Sequence, residues 1–199
     1  MDTLFSKKEL LHAGWVKTKE HFWFLFGMLV LVLLVTGASN NYTLIAIIVA
    51  VFASISVITA SLTIVDGGIP SFKGLFSKYS NYKIFLNYII ASIAMGAAVL
   101  VGLILFVIPG IYLAIRLQFY KFLIVDKGDI SPINALKESW KMTEGHTWNL
   151  FLFLVLVALL NIVGAILLGI GLFVTIPITL LSYAMLYRKL HARLIPVKS

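Results

Sequence analysis

The sequence predicts an all-α polytopic membrane protein: six transmembrane helices in three hairpins, each hairpin preceded by an amphipathic helix in the cytoplasmic interface. Three observations carry this. First, only 12% of the 199 residues are charged, about half the roughly 25% of a soluble domain, and the mean hydropathy is +1.03. Second, residues 22–65, 84–115 and 147–187 contain no Asp, Glu, Lys, Arg or His, giving runs of 44, 32 and 41. A hydrocarbon core about 30 Å thick needs about 20 helical residues to cross. Two runs therefore hold two crossings each, and the third holds one and much of another. Third, all 16 Lys and Arg residues lie away from the predicted hairpin turns, on one side. These patterns exclude a soluble enzyme, a disordered chain and an outer-membrane barrel, whose strands would alternate over about ten residues.

Each element can be placed in order. Ser6-Lys7-Lys8-Glu9 is a capping box that opens a helix with Leu11, Trp15, Thr18 and Phe22 on one face. Spans are expected at 22–36 and 43–65, separated by the turn cluster Thr36-Gly37-Ala38-Ser39-Asn40-Asn41. Ser71 begins a second, weaker surface helix with Leu75 and Tyr79. Spans at 84–107 and 110–126 are expected to turn at Pro109-Gly110. Ser131-Pro132 caps the third surface helix, with Ile133, Leu136, Trp140 and Thr143 on its apolar face. The last spans, 148–168 and 172–188, turn at Gly169-Ile170-Gly171. The positive-inside rule then puts both termini in the cytoplasm. The first apolar run is far longer than a signal-peptide core, so a cleavable signal is not expected.

The chain reads as one integral membrane domain over 1–199, built from pseudo-repeats at about 6–66, 71–126 and 131–190. At an offset of 125, Leu11, Trp15, Thr18 and His21 match Leu136, Trp140, Thr143 and His146. Trp23, Leu25, Phe26 and Leu29 then match Trp148, Leu150, Phe151 and Leu154. Ile64-Val65-Asp66 also echoes Ile124-Val125-Asp126. Every hairpin starts inside, so the repeats are parallel.

Pro109-Gly110-Ile111, Arg116, Phe119, Ile124-Val125, Ala135-Leu136, Ser139-Trp140, Thr143, Gly145 and Trp148 together resemble one family. It is the membrane domain found beside some bacterial glycerophosphodiester phosphodiesterases, with related uncharacterised six-span inner-membrane proteins. The resemblance implies architecture. It does not bring the hydrolase activity, because the soluble catalytic barrel with its paired carboxylates and histidines has no counterpart here.

Arg116 is the most informative side chain. Counted from a turn at Gly110 it sits about 9 Å inside the outer edge of the core, where a charge costs roughly 2.5–3.5 kcal/mol or more. Asn161, Thr175 and Pro177 fall at similar depth. Two readings follow: an intramembrane anion or lipid-phosphate site with Arg116 as its cation, or an arginine satisfied by local carbonyls that holds helices together. Lys121 is expected to snorkel. Asp66 and Asp126 are expected to cap the turns that follow them. Trp15, Trp23, Trp140 and Trp148 read as interfacial anchors. The small-residue spacings Ala98-xxx-Gly102 and Ala165-xxx-Gly169 read as close helix packing.

No nucleophile–base pair, metal-ligand cluster or phosphate loop stands in the sequence, so no catalytic, metal or cofactor residue is expected. The net charge of +8 is read as orientation and anionic-headgroup contact, not nucleic-acid binding. The absence of cysteine excludes disulfides and thiolate sites. The expected role is a non-enzymatic, lipid-associated scaffold of the inner membrane, open to a cytoplasmic protein partner. The rival is a small transporter or exporter of a lipid or peptide with a polar site near Arg116.

Overall fold

The computed structural model describes residues 5–38, 43–77, 81–166 and 169–194, and its regular structure is entirely helical there. The order is α1 (Lys7–Glu20), α2 (Phe22–Ala38), α3 (Thr43–Val65), α4 (Phe72–Ser77) and α5 (Tyr82–Leu105). It continues with α6 (Val107–Leu117), α7 (Tyr120–Lys127), α8 (Pro132–Met142), α9 (Thr147–Ile166) and α10 (Leu172–Ala192). The predicted caps hold the starts of α1, α4 and α8. Ser6, Ser71 and Ser131 each accept a backbone N–H three residues on, from Glu9, Gly74 and Asn134. Part of the first predicted turn, residues 39–42, lies outside the described residues.

Among the described residues four stretches are long and apolar enough to cross a bilayer: Ile45–Val65, Tyr82–Leu105, Val107–Lys127 and Thr147–Ile166. α1 and α2, bent by 90° at His21, add a fifth if taken as one span. α2 alone has 17 residues, and the last turns of α10 carry Arg188 and Lys189.

Two features of the middle hairpin correct the sequence reading. The turn falls at Phe106, between α5 and α6, not at Pro109-Gly110. Pro109 sits in the first turn of α6, where its missing N–H is not needed. Gly110 faces Gly102 instead: a Cβ on Gly102 would come within 2.9 Å of the Gly110 Cα. The stretch predicted as a span at 110–126 is also not one helix but breaks at Gln118-Phe119.

The chain divides into two compact units, and the division falls within α9 and α10. The first comprises Met1–Ser77 and Leu154–Leu186, the second Lys78–Phe153 and Tyr187–Ser199.

In the first unit, Leu25, Met28, Ala60, Ile64, Leu75 and Leu181 form a buried cluster. α1 buries Leu10, Gly14 and Thr18, and meets α10 at Leu10 and Gly14. The approach is close: the Ser182 hydroxyl donates to the Leu10 carbonyl at 3.0 Å. A Cβ on Gly14 would lie 2.3 Å from the Ser182 Oγ and 2.7 Å from the Ile178 carbonyl. Lys17 Nζ donates to the Ile64 carbonyl at 2.9 Å, closing the C-terminal turn of α3. The Asp66-Gly67-Gly68 turn is completed by Gly67 at φ +83° and by the Gly68 N–H on the Thr63 carbonyl.

In the second unit, Phe119, Leu123, Ile124, Val125, Ala135, Leu150, Phe153 and Tyr187 are almost wholly buried. The expected cap at Asp126 is replaced by a different contact. Its carboxylate accepts from both Arg188 Nη atoms, at 2.6 and 3.0 Å, and from the Tyr187 hydroxyl at 2.8 Å. Gly128, at φ +73°, closes that turn itself, since a planar carboxylate matches the guanidinium fork better than one N–H.

α1 and α8 share a property that the apolar stripe alone did not indicate. α8 buries Ala135, Ser139 and Met142, and leaves Ile133 exposed with Leu136 and Trp140 only half-buried. α1 likewise buries Leu10 and Gly14 and exposes Trp15. Each helix docks by a narrower face centred one position (about 100°) round from the predicted stripe, keeping of that stripe only its buried threonine, Thr18 or Thr143. Small residues allow the backbones to approach.

Candidate functional site: a buried arginine at a helix break

The break at Gln118-Phe119 frees backbone groups in the interior of the second unit, and side chains take three of them. The Ser139 hydroxyl donates to the Arg116 carbonyl at 3.0 Å and accepts the Phe119 N–H at 3.1 Å. The Thr143 Oγ1 lies 3.1 Å from the same carbonyl and 2.9 Å from that of Ser139, sharing its proton between them. Gln118 Nε2 donates to the Ile115 carbonyl at 3.0 Å. Ser139 and Thr143 are fully buried. An orphaned backbone group there would cost about 1–3 kcal/mol, so α8 holds the break in place.

The Arg116 side chain emerges at this point and is 3% exposed. Its guanidinium carbon stands 4.3 Å from the centre of the Trp140 ring and 5.7 Å from that of Tyr112. Those two rings meet edge to face, 5.7 Å apart, forming a corner around the cation. Nε has no hydrogen-bond partner among the described residues. A desolvated cation over an indole face gains about 2 kcal/mol or more, which offsets part of its burial.

Two apolar clefts of about 300 Å³ flank this corner. One is lined by Ile108, Tyr112, Ile115, Trp148 and Phe151 among others, the other by Leu117, Leu136, Trp140 and the stems of Lys137 and Lys141.

With the turn at Phe106, Arg116 lies ten residues along the returning chain, about 15 Å from the turn. That length is about half the ~30 Å thickness of a bilayer's hydrocarbon core. The other residues grouped with it by depth are placed in the first unit. Asn161 Nδ2 donates to the Val157 carbonyl of its own helix at 3.0 Å, and its Oδ1 is buried without a hydrogen-bond partner among the described residues. The Thr175 hydroxyl is also buried without a hydrogen-bond partner among the described residues, pressed against Gly164, where an added Cβ would stand 2.5 Å from it. Pro177 is buried inside α10. Lys121 Nζ lies over the Tyr88 and Tyr120 rings at 5.5 and 5.8 Å.

The four tryptophans divide. Trp23 and Trp148 are 81% and 69% exposed and Trp15 is 40% exposed, whereas Trp140 is half-buried beneath Arg116. At the start of α9, His146 is in contact with the Arg193 guanidinium. Burial, and then that positive neighbour, hold its imidazole below the ordinary 6.5.

A family model described as a protein of unknown function, DUF975, matches residues 14–194. The chain belongs to the DUF975 family. No curated protein and no solved structure matches it, and nothing in the match relates it to the glycerophosphodiester phosphodiesterases. The matched stretch of this DUF975 protein takes in the second half of α1 from Gly14, all of α8, the break and Arg116.

Sequence reasoning found Arg116 through its isolation in an apolar run but missed Ser139 and Thr143 as the groups that hold it. A signal was present: Ser139 stands at the offset of Gly14, on the narrow face, four residues before Thr143.

Proposed function

We propose that this DUF975 protein is a non-enzymatic, lipid-associated scaffold of the inner membrane. In this reading the chain crosses the bilayer six times as three parallel hairpin units, with both termini cytoplasmic and the basic face against anionic headgroups. α1 and α8 present bulky apolar flanks and tryptophans to lipid while their narrow faces lock onto the protein. The burial pattern at the 125-residue offset supports the internal repeat. Leu10 and Ala135, Thr18 and Thr143, and Leu25 and Leu150 are buried in both copies, while Trp23 and Trp148 are exposed in both.

The observation that carries the scaffold reading is the sealed state of Arg116. A carrier needs its charged residue on a polar, water-filled route, whereas here aromatic rings cover the guanidinium and the flanking clefts are apolar. The test is water access. The chain has no cysteine, so Leu113→Cys, one turn from Arg116, is a single reporter. Protection from a water-soluble maleimide is expected, and ready labelling would make the transporter the better reading. Arg116→Leu, with co-purified phospholipid quantified, separates the arginine's two roles. Loss of lipid from a folded protein marks a headgroup site, and unchanged lipid with lowered stability marks a structural cation. Single cysteines at 40, 106 and 170 against 76 and 138, labelled from each side, test the topology.

A further inference from the structure

The second copy of the repeated motif has its polar groups occupied from within the chain. Thr143 meets the Arg116 carbonyl, Trp140 lies under the Arg116 guanidinium and His146 touches Arg193. The first copy places the same residue types, Trp15, Thr18, His21 and Trp23, at the elbow where α1 turns through 90° into α2. They line a cleft of about 470 Å³ together with Lys19, Glu20 and flanking aromatic side chains. Thr18 is only 1% exposed, yet its hydroxyl has no hydrogen-bond partner among the described residues. Such a hydroxyl is costly to bury alone and marks a place where an acceptor belongs. Lys19 Nζ stands over the Trp15 ring at 5.3 Å, at the mouth of the same cleft.

We infer that this elbow is a binding site for the headgroup of a zwitterionic phospholipid of the phosphatidylethanolamine class. In the second copy Arg116 brings one carbonyl oxygen to the threonine and one cation to the aromatic corner. A zwitterionic headgroup brings the same pair, a phosphodiester oxygen and an ammonium. The phosphodiester oxygen accepts from the Thr18 hydroxyl and faces Lys19. The ammonium takes the exposed Glu20 carboxylate and the face of an indole lining the cleft. The acyl chains leave along Phe22, Trp23 and Phe24, where the chain enters its apolar run. The elbow belongs to the first unit, so the site stands apart from the Arg116 reading and is tested by different substitutions.

The experiment titrates dihexanoyl phosphatidylethanolamine into the detergent-purified full chain and counts adducts by native mass spectrometry. Dihexanoyl phosphatidylglycerol and inorganic phosphate are the comparison arms. One saturable ethanolamine-lipid adduct is expected, weakened about tenfold by Thr18→Val, which keeps the shape and removes one hydrogen bond. Lys19→Ala is expected to weaken both lipids, and Glu20→Gln the ethanolamine lipid more than the glycerol lipid. Arg116→Leu, if folded, should leave this adduct unchanged. Inorganic phosphate competing at the lipid's own concentration would overturn the lipid assignment. Equal binding by Thr18→Val, or no saturable adduct, would overturn the site.

Discussion

Removing the Ser139 hydroxyl is the sharpest test of how the helix break is held. In Ser139→Ala the Arg116 carbonyl keeps Thr143, but the Phe119 N–H loses the acceptor that Ser139 supplies 3.1 Å away. The site is fully buried, so water does not replace the lost group, and the cost is set at about 1–3 kcal/mol. Thr143→Val removes one of two donors from a carbonyl that retains the other, and should cost less, about 0.5–1.5 kcal/mol. The two changes share one carbonyl, so they must not add. With both hydroxyls gone, the Arg116 oxygen loses every side-chain donor, and the double variant should exceed the sum by about 1 kcal/mol. Reversible unfolding in mixed detergent micelles, followed by far-UV circular dichroism, measures all four corners of this cycle. Strict additivity, or a Ser139→Ala variant as stable as the parent, would refute the clamp.

Three further outcomes follow from the same contacts. Gly14→Ala places a methyl group 2.3 Å from the Ser182 Oγ. It should cost about 1–3 kcal/mol by overpacking, with partial rescue by Ser182→Ala in a thermal-shift comparison. Asp126→Asn removes the charge that accepts from Arg188 and Tyr187. The pair is partly solvated, which limits the loss to about 1–3 kcal/mol, and a variant of unchanged midpoint would count against that contact's structural role. The His146 imidazole is held below 6.5 by burial and by Arg193. The unfolded chain therefore takes up a proton first as pH falls, and stability drops progressively below about pH 6.5. His146→Gln should flatten that part of the pH–stability profile, and an unchanged slope would remove His146 as its source.

The sequence by itself determined the membrane character, the helical class and the starts of the surface helices. These are local or additive properties: hydropathy summed along a run, a serine three residues from an unpaired N–H, a glycine at positive φ. It also marked Arg116, because a charge in an apolar stretch stands out without knowledge of its neighbours. The tertiary structure decided which face of α1 and α8 docks, where the middle hairpin turns and what satisfies Arg116. A stripe of Trp, Leu and Ile serves lipid as well as protein, so the stripe alone could not assign its partner. Backbone proximity at Gly14 and Ser139 settled the docked face. Pro109-Gly110 looked like a turn in isolation, but a first-turn proline is compatible with helix, and Gly110 was needed for contact with Gly102. Arg116 found the Trp140 indole supplied from α8 across 24 residues of chain, a pairing that only the folding back of α8 onto the break could create.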